Sequence, residues 1–132
     1  MSEPIPALLV MHADLAAALL RAAELVYGAI ERVEVLSNEG LSRADLEREV
    51  ERRVAHWTSG GLVFTDMAGG SPHISCSAVA RAHGEIVVVT GLNLPTLLDF
   101  LHNRDRFGVV ELAERLRAKG QDSIRIQRGQ KV

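Results

Sequence analysis

The chain predicts an α/β fold: three layers, with a parallel four-stranded sheet and helices on both faces. Three observations carry this. Strand-like apolar runs alternate four times with helical patterns. The helical stretches place apolar residues at steps of three and four. The runs at 7–11, 61–65 and 85–90 are nearly continuous in apolar or β-branched residues, as strands covered on both faces are. Such alternation implies right-handed crossovers and a parallel sheet.

The elements follow in order. Ala7-Leu8-Leu9-Val10-Met11 reads as a buried first strand. The helix after it has apolar positions at Leu15, Ala18, Leu19, Ala22, Ala23 and Val26, with Asp14 suited to cap its start and Gly28 its end. The second strand, 32–36, alternates Val33 and Val35 with charges, which predicts an edge position. Ser42-Arg43-Ala44-Asp45 resembles a capping box, opening a helix that buries Leu46, Val50, Val54 and Trp57. Gly61-Leu62-Val63-Phe64-Thr65 is the third strand. Pro72 then starts a helix carrying Ile74, Ala78 and Val79.

The fourth strand, 85–90, is expected to be covered on both faces. Pro95 suits the first turn of a helix through Leu97, Leu98 and Leu101. Asn103-Arg104-Asp105-Arg106 is a polar break. A last helix shows Val109, Leu112, Ala113 and Leu116, and should close at Arg117, Lys119 and Gly120. Ser123-Ile124-Arg125-Ile126-Gln127 alternates strictly and reads as a half-buried strand, able to pair in its own sheet or a neighbour's.

At 132 residues the chain is expected to form one domain, 1–132, large enough to bury roughly two-thirds of its unfolded surface. A net charge of -2 gives no electrostatic footprint for nucleic acid. The single cysteine, Cys76, excludes an internal disulfide and suits a reducing compartment. No apolar run approaches the ~20 residues that span a bilayer, and Met1-Ser2-Glu3-Pro4 lacks a signal peptide's basic segment. The expectation is a cytoplasmic protein without membrane insertion.

His12 is the most informative residue, standing where the first strand gives way to a helix. Asp66 follows the third strand and leads into Met67-Ala68-Gly69-Gly70-Ser71-Pro72. In open parallel sheets, chemistry collects outside the carboxyl ends of the strands. His12, 66–71 and 93–95 should therefore share one edge. Imidazole is a good nitrogen nucleophile at neutral pH, and a carboxylate on its far nitrogen fixes the tautomer and steadies the charge that develops. Gly69, Gly70 and Ser71 at a helix start can offer amides and a hydroxyl to phosphoryl oxygens. The expected catalytic pair is His12 and Asp66, moving a phosphoryl group.

Plainer readings compete. A lone histidine at a strand end is more often an ordinary polar residue, and an Asp-to-Gly-Gly turn is often only turn chemistry. His73 is expected at the surface or behind the site; His56, His83 and His102 lie near helix ends; Cys76 reads as a packed thiol. Grouping His12, Asp66 and His73 matches no metal spacing, and G-x-x-x-x-G-K-[ST] is absent, so no metal or cofactor is expected. Glu49 and Arg53 are spaced to pair on a solvated face. A receiver-like domain phosphorylated on Asp66 is the signalling alternative. It wants an acidic pair after the first strand, where this chain has His12 and Asp14.

The chain resembles the IIA domain of the mannose-type (mannose/fructose/sorbose) sugar phosphotransferase system from Leu8 to about Ile126. Val10-Met11-His12 with Leu15-Ala16 and Leu19-Leu20 is similar to the phosphorylated-histidine segment. Asp66-Met67-Ala68-Gly69-Gly70-Ser71-Pro72 matches D-x-x-G-G-S-P, and Gly91-Leu92-Asn93-Leu94-Pro95 matches G-x-N-x-P. The resemblance implies that His12 takes a phosphoryl group from phospho-HPr on Nε2, with Asp66 on Nδ1, and passes it to a IIB component. It implies a homodimer in which the last strand runs antiparallel in the partner's sheet.

The chain departs from the family at Ala13, usually glycine, and at Ala68, often aromatic; both bear on partner choice. The likeness includes no IIB, so the resemblance implies a separate IIB or a regulatory sensor of an incomplete system. The IIA-like subunit of dihydroxyacetone kinases uses a similar histidine with a different glycine loop. The sugar is not legible from these residues.

Overall fold

Alternate residues of β1 (Ala7–Met11) face different cores, and the architecture follows from that strand. The structure, a computed structural model, describes residues 3–130. Met1 and Ser2, on which the signal-peptide reading partly rests, lie outside the described residues. After β1 come α1 (Leu15–Tyr27), β2 (Val33–Ser37), α2 (Arg43–Val54), β3 (Gly61–Thr65), α3 (Ser71–Arg81), β4 (Ile86–Thr90), α4 (Leu94–Asn103) and α5 (Val109–Ser123). Among the described residues the sheet runs in the order β2-β1-β3-β4, with every pairing parallel.

Ala7, Leu9 and Met11 join Leu62 and Phe64 against α1, α4 and α5, where Phe64 meets Phe100 edge-on at 5.3 Å. Leu8, Val10 and Val63 turn the other way, onto Leu46, Val50 and Val54 of α2 and Cys76 and Val79 of α3. These are the three layers the alternating pattern predicts. Each fully buried Leu or Phe stabilises the fold by about 1.5–3 kcal/mol, which makes the two central strands the rigid part of the molecule. Ser42 caps α2 by accepting the Asp45 amide at 3.1 Å. Arg53 donates to Glu49 at 3.1 Å, the pairing their spacing indicates.

Several expectations need correction. The covered stripe of α1 runs through Ala16, Leu19 and Ala23, whereas Leu15, Leu25 and Val26 are exposed. Alanine and leucine on nearly every face left the periodicity degenerate. Asp14 occupies the cap position of α1 without a side-chain capping bond. Ile74 lies on the outer face of α3, and Arg104, within the polar break, is buried with its guanidinium on the Glu31 carbonyl at 2.8 Å. Strand β4 is an edge, with Val87, Val88 and Val89 only half-buried rather than covered on both sides.

Within the single chain, the C-terminal segment joins no strand of its own sheet. Helix α5 continues through Gly120 to Ser123, whose hydroxyl donates to the Gly120 carbonyl at 2.7 Å and accepts from Asn93 at 2.9 Å. Gly120 does not end the helix; a Cβ there would lie 2.9 Å from Thr96 Oγ1, so it permits close contact with α4. Residues 124–130 form neither helix nor strand, and Ile124 and Ile126 are exposed. Ile124 is extended, but an extended segment without a neighbouring strand has no ladder to join.

Burial pushes the Cys76 thiol up to about 12. Alkylation of the native protein at neutral pH should be at least about a hundredfold slower than in denaturant, because only the thiolate reacts. Comparable rates would show that α3 does not stay packed on β1 and β3.

Candidate active site

Strand order reverses between β1 and β3: β2 lies outside β1 and β4 outside β3. A crevice opens beyond the strand ends at such a reversal. The pairing of Val10 with Thr65 brings the residues after both strands together there. His12 Nδ1 lies 2.8 Å from Asp66 Oδ2, and the His12 main-chain amide donates to the same oxygen at 3.2 Å. The imidazole is 42% exposed and the carboxylate 11%, so the histidine faces solvent and the aspartate supports it from behind.

Burial alone would raise the Asp66 pKa. The hydrogen bonds from the His12 ring and amide outweigh it and hold the carboxyl below its ordinary value. An ionised carboxylate can only accept, so the proton between the two groups belongs to Nδ1. In the neutral ring, the Nε2 lone pair is then free. That edge borders the glycine loop: a Cβ on Gly70 would come 2.8 Å from His12 Cε1 and 3.2 Å from Nε2.

The two loop glycines serve different needs. Gly69 has φ +87°, which residues with a Cβ rarely adopt, and open space where a side chain would go. Gly70 has φ −79°, open to any residue, but has no room for a side chain beside the ring. Ser71 follows in the first turn of α3, where main-chain amides lack intrahelical partners.

A family model described as PTS system fructose IIA component matches residues 7–117. The chain belongs to this family. A sorbose-specific EIIA component of Klebsiella pneumoniae is 30% identical over 115 residues, spanning 86% of this chain and 85% of that protein. The crystal structure of a phosphotransferase system EIIA from Streptococcus agalactiae superposes with a TM-score of 0.86 at 28% identity, covering 92% of this chain and 96% of that one. A mannose/sorbose-specific IIA subunit from Enterococcus faecalis shares the fold, with a TM-score of 0.84 at 20% identity and coverage of 98% and 99%. The protein is thus a mannose-type IIA component of the sugar phosphotransferase system, with the general phosphotransferase activity that membership entails.

In this IIA chain the structure brings His12, Asp66, Gly70 and Ser71 to one place. It gives Gly69 a different part from the expected anion donor, because its amide already donates to His73 Nδ1 at 2.9 Å. His73 therefore fastens the loop from behind. Asn93 works as a fastening too: it caps α4 by accepting the Thr96 amide at 3.0 Å and donates to Ser123. His83 pairs with Glu51, and His102 meets the Tyr27 ring edge-on at 5.0 Å. Among the described residues there is no cluster of His, Cys, Asp or Glu fit to hold a metal, and no helix long and apolar enough to cross a membrane.

Sequence reasoning missed Asn38. It follows β2 and donates to Ser71 Oγ at 3.0 Å while accepting the Ala13 amide at 3.3 Å. An isolated polar residue after an edge strand gives no periodic signal; only its place at a third strand end could have drawn attention to it.

Replacing Gly70 with alanine leaves the backbone angle allowed but pushes a methyl group into the ring. The imidazole should be displaced from Asp66, seen as changed His12 ring nitrogen shifts by NMR with little loss of thermal stability. Unchanged shifts would mean that the ring needs no clearance there.

Proposed function

We propose that His12 is the phosphoryl acceptor: it takes a phosphoryl group from phospho-HPr and passes it to a IIB component. The contact between His12 Nδ1 and Asp66 carries this reading, because in the neutral ring it fixes the tautomer that leaves the Nε2 lone pair free, on a partly exposed imidazole beside a glycine-lined helix start. The Nε2 lone pair forms a bond to phosphorus as the bond from phosphorus to the donor's nitrogen breaks. The ring gains positive charge, and Asp66 stabilises it through the Nδ1 proton. The Ser71 hydroxyl and the unpaired amides of the first turn of α3 hold the phosphoryl oxygens, favoured by the helix dipole. Transfer to IIB is the same exchange in reverse, so no metal or other cofactor is required.

Phosphorylation of Asp66 itself is the weaker alternative. Its Oδ2 already accepts from the His12 ring and amide, and its side chain is nearly covered. The same phosphohistidine would serve a regulatory sensor as well as sugar transport. Either role suits a single cytoplasmic domain over 1–132.

The chain is further proposed to work as a homodimer in which residues after Ser123 pair antiparallel with a partner's sheet. The support is twofold: among the described residues β4 has no neighbour on its outer edge, and the segment after α5, extended at Ile124, exposes Ile124 and Ile126. An unprotected apolar edge favours pairing with another strand.

Incubation with phosphoenolpyruvate, enzyme I and HPr should label the protein with an acid-labile, base-stable phosphate. His12→Ala should take none; label on that variant would overturn the assignment. Asp66→Asn should fold and transfer more slowly, by about a hundredfold or more, and an unaltered rate would remove its role. Sedimentation should show a dimer for the wild type and a monomer for Ile124→Asp/Ile126→Asp; a monomeric wild type would refute the exchange.

A further inference from the structure

We propose that Asn38 is a positioning residue for phosphoryl transfer, presenting the Ser71 hydroxyl as a donor and holding the peptide after His12 in place. The inference rests on His12 being the phosphoryl acceptor.

Asn38 joins the ends of β2 and β1 to the start of α3. Its main-chain amide donates to the Met11 carbonyl at the end of β1, at 3.2 Å. Its side-chain Oδ1 accepts the Ala13 amide at 3.3 Å, and its Nδ2 donates to Ser71 Oγ at 3.0 Å. The Ala13 amide can only donate, so it requires the amide oxygen on its side and the NH2 group towards Ser71. The orientation of the Asn38 side chain is fixed by chemistry.

Two consequences follow. Ser71 Oγ accepts from Asn38, which leaves its own hydrogen to donate elsewhere. Ser71 directly follows Gly70, whose Cα lies against the Nε2 edge of His12. A phosphoryl group on Nε2 offers oxygens that only accept, so a serine held as a donor suits it. Secondly, Ala13 has φ 51°, which a residue with a Cβ rarely adopts. Asn38 holds this peptide in the left-handed conformation at the point where the chain turns from His12 into α1.

The two contacts can be separated. Asn38→Ala removes both. Asn38→Asp keeps an acceptor for Ala13 but loses the donor to Ser71, and its carboxylate would capture the Ser71 hydrogen. Rates of transfer from phospho-HPr should be measured for wild type, Asn38→Ala, Asn38→Asp, Ser71→Ala and the Asn38→Ala/Ser71→Ala pair, with melting temperatures to confirm folding. Asn38→Ala should lower kcat by about tenfold or more, the worth of the two hydrogen bonds it removes, with KM for phospho-HPr unchanged. Asn38→Asp should fall at least as far.

In the Ser71→Ala background, Asn38→Ala should cost less than it does in the wild type, since the contact to Ser71 is already gone and only the one to Ala13 is left to lose. Fully additive losses, an Asn38→Asp protein with wild-type rates, or a change confined to KM would each overturn the proposal. A wild type that accepts no phosphoryl group would overturn the reading of His12 and this inference with it. A labelled wild type beside an unaffected Asn38→Ala would overturn this inference alone.

Discussion

The hydrogen bond between His12 Nδ1 and Asp66 Oδ2 organises the candidate site, and the pairing of β1 with β3 makes it possible. The two residues are far apart in sequence and meet because both follow central strands in fixed register. A slip of one residue would exchange the two faces of β1 and bury the wrong side chains in each core. Leu8 and Val10 on one face, with Ala7, Leu9 and Met11 on the other, make such a slip costly. Core packing therefore sets the distance between the imidazole and the carboxylate.

The surrounding loops are fastened to the same strand ends. The amides of Gly91 and Leu92 both donate to the Thr65 carbonyl, at 3.0 and 3.1 Å, and the Thr65 and Thr90 hydroxyls are in hydrogen-bond contact. Asn38 fastens the end of β2 to β1, and His73 fastens the glycine loop to the first turn of α3. The imidazole thus stands on rigid elements, as a group that must be pre-oriented requires. The sheet edges contrast with each other. Beside β2, Glu34 pairs with Arg53 at 2.8 Å, a charged edge that discourages further pairing. Strand β4 instead presents the half-buried Val87, Val88 and Val89.

Much of this was legible in the sequence because burial on both faces leaves a simple mark. The first and third strands read as 7–11 and 61–65 and have those bounds in the structure. His12 and Asp66 stood out because each follows such a run directly. The less legible features have physical reasons. In α1, alanine on most faces gives no contrast from which to choose the buried stripe. The alternation of Ile124 and Ile126 records an extended tendency but not a partner, and within one chain the described segment finds none. Asn38 and His73 act through single contacts between loops, and no periodicity encodes which loops will meet.

The same geometry separates two chemistries that a strand-end aspartate can support. A phosphorylated aspartate must offer an oxygen to the donor and accept the incoming charge with help from a cation. Asp66 instead directs Oδ2 at two donors of His12 and is mostly covered, with its pKa lowered by those bonds despite its burial. The more exposed side chain is the imidazole in front of it, 42% against 11%. Gly70, lacking a Cβ, lets the glycine loop lie close against the Nε2 edge of that ring, and the start of α3 supplies partial positive charge where an anion would sit. Each of these features favours an anion on the imidazole and a supporting role for the carboxylate.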